Sequence, residues 1–396
     1  MLSRTRIVYY TSFATDFAWF AFLFSITRWL AETGSSTWHL GLFGACASIS
    51  YAVSGPLAGW ISDRFGARRV MLCGAAATIL VLITCALWRS RPVFYVMAAA
   101  CGIAVSLIYP PLIAWLTEDG RDTSRRLFLF CIAWNGGVIA AQLTSGWLYV
   151  LRPELPLLAS VIPMSGIIVL MLRWRPVASE TAVHPAEPGE ADHDPSPRAR
   201  AFVYMAWLSN AAGSLSFSLV VHLFPSLALE AGISPPLHGA MLALNRMAVI
   251  GTYFLMHRFT FWRYRLWTAV VSQVIAMTGL AILGFARSTP ALTLGLVLTA
   301  LMLGYNYFAS IYYSTRAFGP ERKGMVSGIH EASLALGGGL GALGGGMIGA
   351  AYGVRAPYQI CAVMLALFLA LQWAIHRFRP AGIPRLKADL KSSALV

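Results

Sequence analysis

The stretch GPLAGWISDRFGARRVM, residues 55–71, changes character twice. It is apolar up to Ile61, charged at Asp63 and Arg64, basic again at Arg68 and Arg69, and apolar from Val70 onward. Long apolar runs flank it, near residues 38–61 and 70–88. Each is long enough to cross a hydrocarbon core, which takes about 20 mostly apolar residues per helix. The stretch therefore reads as a tight hairpin between two membrane spans, with its cations held at one surface.

The composition agrees. Of 396 residues, 58% are hydrophobic and 12% charged, against about 25% charged in a soluble globular chain. The formal charge of +14 does not point to nucleic acid, because the basic residues are dispersed among loops rather than gathered on one element. The six cysteines, Cys46, Cys73, Cys85, Cys101, Cys131 and Cys361, lie inside apolar segments with no C-x-x-C spacing. They read as small core residues, with no disulfide framework, metal site or cofactor expected. Arg4 and Arg6 precede an apolar run that resembles a signal peptide, but the run is too long and carries Asp16, so it reads as a retained first span.

Hydropathy and basic punctuation predict twelve spans, near 8–30, 38–61, 70–88, 93–116, 127–150, 155–173, 201–229, 237–257, 265–286, 291–314, 325–351 and 356–377. With the N-terminus placed in the cytoplasm, 23 of the 30 basic residues fall on the cytoplasmic side. One span missed or invented in the middle would destroy that skew, so both termini are expected to be cytoplasmic. Residues 174–200 hold five prolines and five of the sixteen acids, the composition of a disordered tether. His184, Asp192, His193 and Asp194 lie within it and are read as solvated. The expected organisation is a six-helix bundle over 1–173, a cytoplasmic linker over 174–200 and a second six-helix bundle with a short tail over 201–396.

Gly59-x-x-x-Asp63-Arg64-x-Gly66-x-Arg68-Arg69 lies between the second and third spans. It resembles the loop 2–3 signature of the major facilitator superfamily, and the two-by-six arrangement extends the resemblance over essentially the whole chain. The resemblance implies an all-α membrane fold of twelve transmembrane helices in two pseudo-symmetric bundles. It implies that spans 1, 4, 7 and 10 line a central cavity while 2, 5, 8 and 11 form the contact between halves. It also implies that Asp63, with Arg64 and Arg68 nearby, helps hold the halves together by facing the start of span eleven. Gly59 is expected to permit close helix approach and Gly66 a turn that a Cβ would resist. In span five, Gly137-V-I-A-Ala141-Gln142-L-T-Ser145-Gly146 departs from the G-x-x-x-G-P-x-x-G-G pattern of the family's drug antiporters.

Gly337, Gly341, Gly345 and Gly349 recur every four residues in span eleven. They form a stripe suited to close helix packing in lipid, or to a rocking contact. Asp16 and Glu331 are the two acids well inside predicted spans, Glu331 beside His330. A buried carboxyl resists ionisation and can bind and release a proton, so these three residues are candidates for proton coupling. Arg246, near the middle of span eight, is the candidate counter-charge or substrate ligand. Asn210, Asn306, Tyr109 and Trp19 are further candidates for the cavity wall. Pro110 and Pro111 free backbone carbonyls and predict a bend in span four.

The expected function is secondary transport of a small organic solute, proton-coupled, by alternating access in a bacterial inner membrane, by a monomer that needs no cofactor. Export is preferred. Import by the same fold and a transport-inactive receptor or assembly factor are the alternatives. No Gly-x-x-x-x-Gly-Lys-Ser/Thr loop, H-E-x-x-H or Ser/Lys set occurs, so neither ATP hydrolysis nor a membrane-embedded enzyme is expected. Because Asp63 is remote from the cavity, Asp63→Asn is expected to lower turnover by roughly tenfold, within the usual range of coupling energies. Solute binding by the purified protein should be unchanged; equal loss of binding and flux would contradict the remote role.

Overall fold

The computed structural model describes residues 4–117, 123–174, 196–317 and 323–378. Twelve helical segments in it are long and apolar enough to cross a membrane. They coincide with the predicted spans to within a few residues. The first six are α1 (Arg4–Glu32), α2 (Thr37–Phe65), α3 (Ala67–Leu87), α4 (Arg91–Ser106) continued by α5 (Tyr109–Thr117), α6 (Thr123–Leu151) and α7 (Leu155–Arg173). The second six are α8 (Pro197–Ser218) continued by α9 (Phe224–Glu230), then α10 (Pro235–Arg258), α11 (Leu266–Phe285), α12 (Thr289–Ala317), α13 (Lys323–Tyr352) and α14 (Ala356–Phe378). The expected linker lies mostly outside the described residues. α8 begins inside the expected linker: Ser196 caps it by accepting from the Ala199 N–H at 3.1 Å and Pro197 occupies the first turn.

The α2–α3 hairpin turns on one residue. Gly66 has φ +87° and donates its N–H to the Ser62 carbonyl, a conformation that costs glycine little and other residues more. Large apolar side chains such as Val53, Leu57, Trp147 and Ile162 stand exposed on the outer faces. In water they would be a liability, and in lipid they are the solvent-facing side.

Two spans are interrupted, and both interruptions sit at proline. Span four breaks at Leu107–Ile108, where the Ile108 N–H turns tightly to the Val105 carbonyl. Pro110 and Pro111 have no N–H to return to the carbonyls of Ser106 and Leu107, so the helix is interrupted and restarts at Tyr109. Span seven carries a π-helical turn, Leu219–Leu223, between α8 and α9. Pro225 follows it and removes the N–H that would have reached the Val221 carbonyl.

The halves meet along α2 against α13 and α6 against α10. One end of the α2–α13 seam is closed. A methyl at Gly41 would press on the Ala342 carbonyl oxygen and lie 2.8 Å from Gly346 Cα, and Thr37 Oγ1 donates to the Gly346 carbonyl at 3.1 Å. The other end carries Asp63 and the Gly66 turn. Among the described residues, which do not include the side chains of 323–328 at the start of α13, a methyl added at Gly55 or Gly59 would meet nothing within 4 Å, and no close approach at Gly59 is seen. The second seam is closed along its length, from Gly146 against Pro235 to Phe128 stacked on His257 with ring centroids 4.8 Å apart.

The four-residue glycine stripe of α13 packs chiefly within its own half. Gly337 and Gly341 lie against the carbonyls of Ala211 and Leu215 in α8, and Gly345 lies against Leu219; only Gly349 reaches across, to Thr37. The contact between halves falls on the adjacent stripe, Gly338, Ala342 and Gly346. Overpacking costs about 1–3 kcal/mol, so Gly41→Val should shift the equilibrium away from this closed seam by roughly 5- to 150-fold. The check is the labelling rate of Thr37→Cys in a chain lacking its six native cysteines, which should rise accordingly.

Candidate functional site

Three helices present the same spacing to the centre of the molecule. Asp16, Trp19, Phe20 and Leu23 of α1, Ser214, Phe217 and Ser218 of α8, and Glu331, Leu334, Ala335 and Gly338 of α13 follow the i, i+3, i+4, i+7 rule of one helical face. Together with Tyr51, Tyr109, Trp134, Arg246 and Tyr307 they enclose a cavity of about 220 Å³.

An aromatic plug packs between the cavity and the end that carries Thr37 and Pro235. The His238 ring lies between Phe24 and Phe224, at centroid distances of 4.9 and 5.4 Å, and Phe22 packs on Phe43 at 5.3 Å. His222, on the π-helical turn, lines the cavity beside this plug, and Gly44 makes room for its ring.

Both intramembrane acids reach the cavity, and each meets a tyrosine. The Tyr109 hydroxyl donates to the buried Asp16 carboxylate. The break in span four sets Tyr109 in that position, so the Pro110–Pro111 pair acts on the site through the backbone. The Tyr51 hydroxyl approaches Glu331 Oε2 at 3.5 Å. Tyr51 belongs to α2 and Glu331 to α13, so this contact bridges the two halves.

Arg246 is 2% exposed and lines the same cavity. Its guanidinium sits over Phe217 at 4.0 Å, with Phe20 at 5.1 Å and Trp134 at 5.6 Å. Among the described residues no carboxylate pairs with it, and its buried Nε has no hydrogen-bond partner. The expected counter-charge therefore shares a chamber with both acids without being spent on either.

The remaining candidates are placed elsewhere. His330 faces α12, its Nδ1 2.8 Å from Ser310 Oγ and its ring against Tyr307. Asn210 donates to the His330 carbonyl at 3.2 Å and to Ser333 Oγ at 2.9 Å, and Asn306 donates to the Ser209 carbonyl at 2.7 Å. These three tie helices of the second half together and do not line the cavity, because their hydrogen bonds go to neighbouring helices. Trp19 and Tyr109 do line it.

At the hairpin, Asp63 is exposed and makes no ion pair with Arg64 or Arg68 among the described residues. Arg64 lies over Trp60 and Phe65, while Arg68 donates to the Leu172 carbonyl at 3.1 Å. The side chains at the start of span eleven, its expected partners, lie outside the described residues.

The sequence profile of the Major Facilitator Superfamily matches residues 8–304 and 206–393. The chain is 33% identical over 113 residues to the YaaU protein of Escherichia coli K12, an alignment covering 28% of this chain and 25% of that one. It is 27% identical over 151 residues to the class C tetracycline resistance protein of Escherichia coli, covering 37% of each. The matched segments thus span 25% and 37% of the length of these two relatives. The nucleoside transporter NupG shares the fold, with a TM-score of 0.74 at 13% identity over 94% of this chain and 99% of that one.

Proposed function

The chain belongs to the major facilitator superfamily, and from that membership we propose that it moves a small organic solute across a bacterial inner membrane by proton-coupled alternating access. The observation that carries this reading is the shared cavity, in which Asp16, Glu331 and Arg246 meet at the boundary between the two halves. Ionisable groups are expensive at membrane depth and are placed there for function by default.

The Tyr51–Glu331 contact links protonation to geometry. It spans the halves across the α2–α13 seam, so a change in the charge of Glu331 alters a bond that holds the seam. Asp16 and its Tyr109 donor sit across the same chamber, within the first half. The solute enters from the basic face, which the positive-inside rule assigns to the cytoplasm, and leaves once the aromatic plug parts and the basic face closes. The two six-helix bundles, α1–α7 and α8–α14, are the moving bodies of that exchange. Both termini are cytoplasmic in this reading, the working unit is a monomer, and export is the favoured direction.

The test compares small molecules inside cells and in their medium for wild type, Asp16→Asn and empty vector, with and without a protonophore. At least one solute should shift with wild type only and only while the proton gradient is intact, and Asp16→Asn should lower the flux at least tenfold. A hydrogen bond to a charged group is worth about 1.5–3 kcal/mol, so Tyr109→Phe should lower flux roughly tenfold while the protein purifies normally. Gradient-independent flux, or full activity in Asp16→Asn, would overturn the coupling role.

A further inference from the structure

We infer that Arg246 is the anchor for a planar oxyanion, and that the cargo is an amphiphilic monoanion whose apolar or aromatic body fills the rest of the cavity. This rests on the transport reading of the same chamber.

An arginine is always charged, and at the centre of a membrane protein it is ordinarily paired. Arg246 is buried and has no carboxylate partner among the described residues. Each acid of the chamber has a tyrosine hydroxyl beside it, Asp16 accepting from Tyr109 and Glu331 lying 3.5 Å from Tyr51, and among the described residues neither forms an ion pair with Arg246. Aromatic rings surround the guanidinium: Phe217 lies 4.0 Å from its central carbon, Phe20 5.1 Å and Trp134 5.6 Å. Its buried Nε has no hydrogen-bond partner, and Nε belongs to the in-plane N–H edge that matches a carboxylate bidentately. Removing water strengthens a charge-assisted bond made at that edge.

The rest of the chamber selects the body of the ligand. Trp19, Phe130, Ile113 and Leu303 line it with carbon, and the hydroxyls of Ser214 and Ser218 on its wall already donate to backbone carbonyls. Among the described residues the chamber holds one guanidinium beside two acidic side chains, so a second charge on the ligand would find no cation. A single carboxylate on an aromatic or aliphatic skeleton matches both the one guanidinium and the carbon walls. An anion leaving a cell interior of negative potential moves down that potential, so this cargo is compatible with export.

The experiment is calorimetric binding to the purified full chain at neutral pH, without a membrane gradient. The probes are benzoate, 3-phenylpropionate and indole-3-acetate, each beside its primary amide and the amine of matching skeleton. At least one acid should bind wild type at least tenfold more tightly than its amide, and no amine should bind more tightly than the acid. Arg246→Gln should abolish that preference, whereas Arg246→Lys, which keeps charge without the fork, should retain part of it. The acid–amide comparison on wild type needs no variant and so survives a folding defect in either substitution. Equal affinity for acids and amides, tighter binding of an amine, no acid binding below about 1 mM, or an acid preference surviving in Arg246→Gln would overturn the inference. Loss of gradient-driven flux with the acid preference intact would count against the transport reading alone.

Discussion

Hydrocarbon offers no hydrogen bond and little screening, so each polar group within the bilayer must find its partner inside the protein. Much of this structure follows from that constraint. Asn210 and Asn306 are drawn to backbone carbonyls of neighbouring helices, Gln273 and Gln372 bond each other, and Asp16 and Glu331 are drawn to tyrosines. Arg246 is an exception in kind, as is His238 between Phe24 and Phe224, since rings rather than oxygen atoms surround each. In a chamber whose two acids are already engaged, the unengaged cation is the chemically informative group.

The same constraint explains why the two seams differ. Close backbone approach between α2 and α13 at Gly41 and Gly346 needs no polar side chain, only the absence of one. The one side-chain hydrogen bond described at this contact is Thr37 Oγ1 to the Gly346 carbonyl. The α6–α10 seam, with Phe128 on His257 and Gly146 on Pro235, stays packed from end to end. The Tyr51–Glu331 contact crosses the α2–α13 seam.

Proline carries information in two ways here. In span four it was legible as a bend, and the structure breaks there and aims Tyr109 at Asp16. In span seven the π-helical turn ahead of Pro225 places His222 on the cavity wall, and nothing in local hydropathy marks that residue's rotation among its apolar neighbours. Part of the cavity was readable as helical spacing: Asp16, Trp19, Phe20 and Leu23 form one face of α1 by their numbering alone. Tyr51 had no such signal, because its role depends on which helix of the other half lies opposite.

The sequence by itself determined the membrane class, the twelve spans, the one-residue turn at Gly66 and the depth of Asp16, Arg246 and Glu331. Each of these is a property of a short window, set by hydrocarbon thickness, backbone sterics or position along a helix. Only the tertiary structure decided which faces meet: that the glycine stripe of α13 serves α8 while Gly346 and Ala342 serve α2, that His330 and the two asparagines turn away from the cavity, and that Arg246 faces rings and not an acid. The physical reason is that lipid and protein interior are both apolar. A helix that is apolar all round has no hydrophobic face to announce its rotation, and its partners are set by steric fit and by the few polar atoms that must be matched.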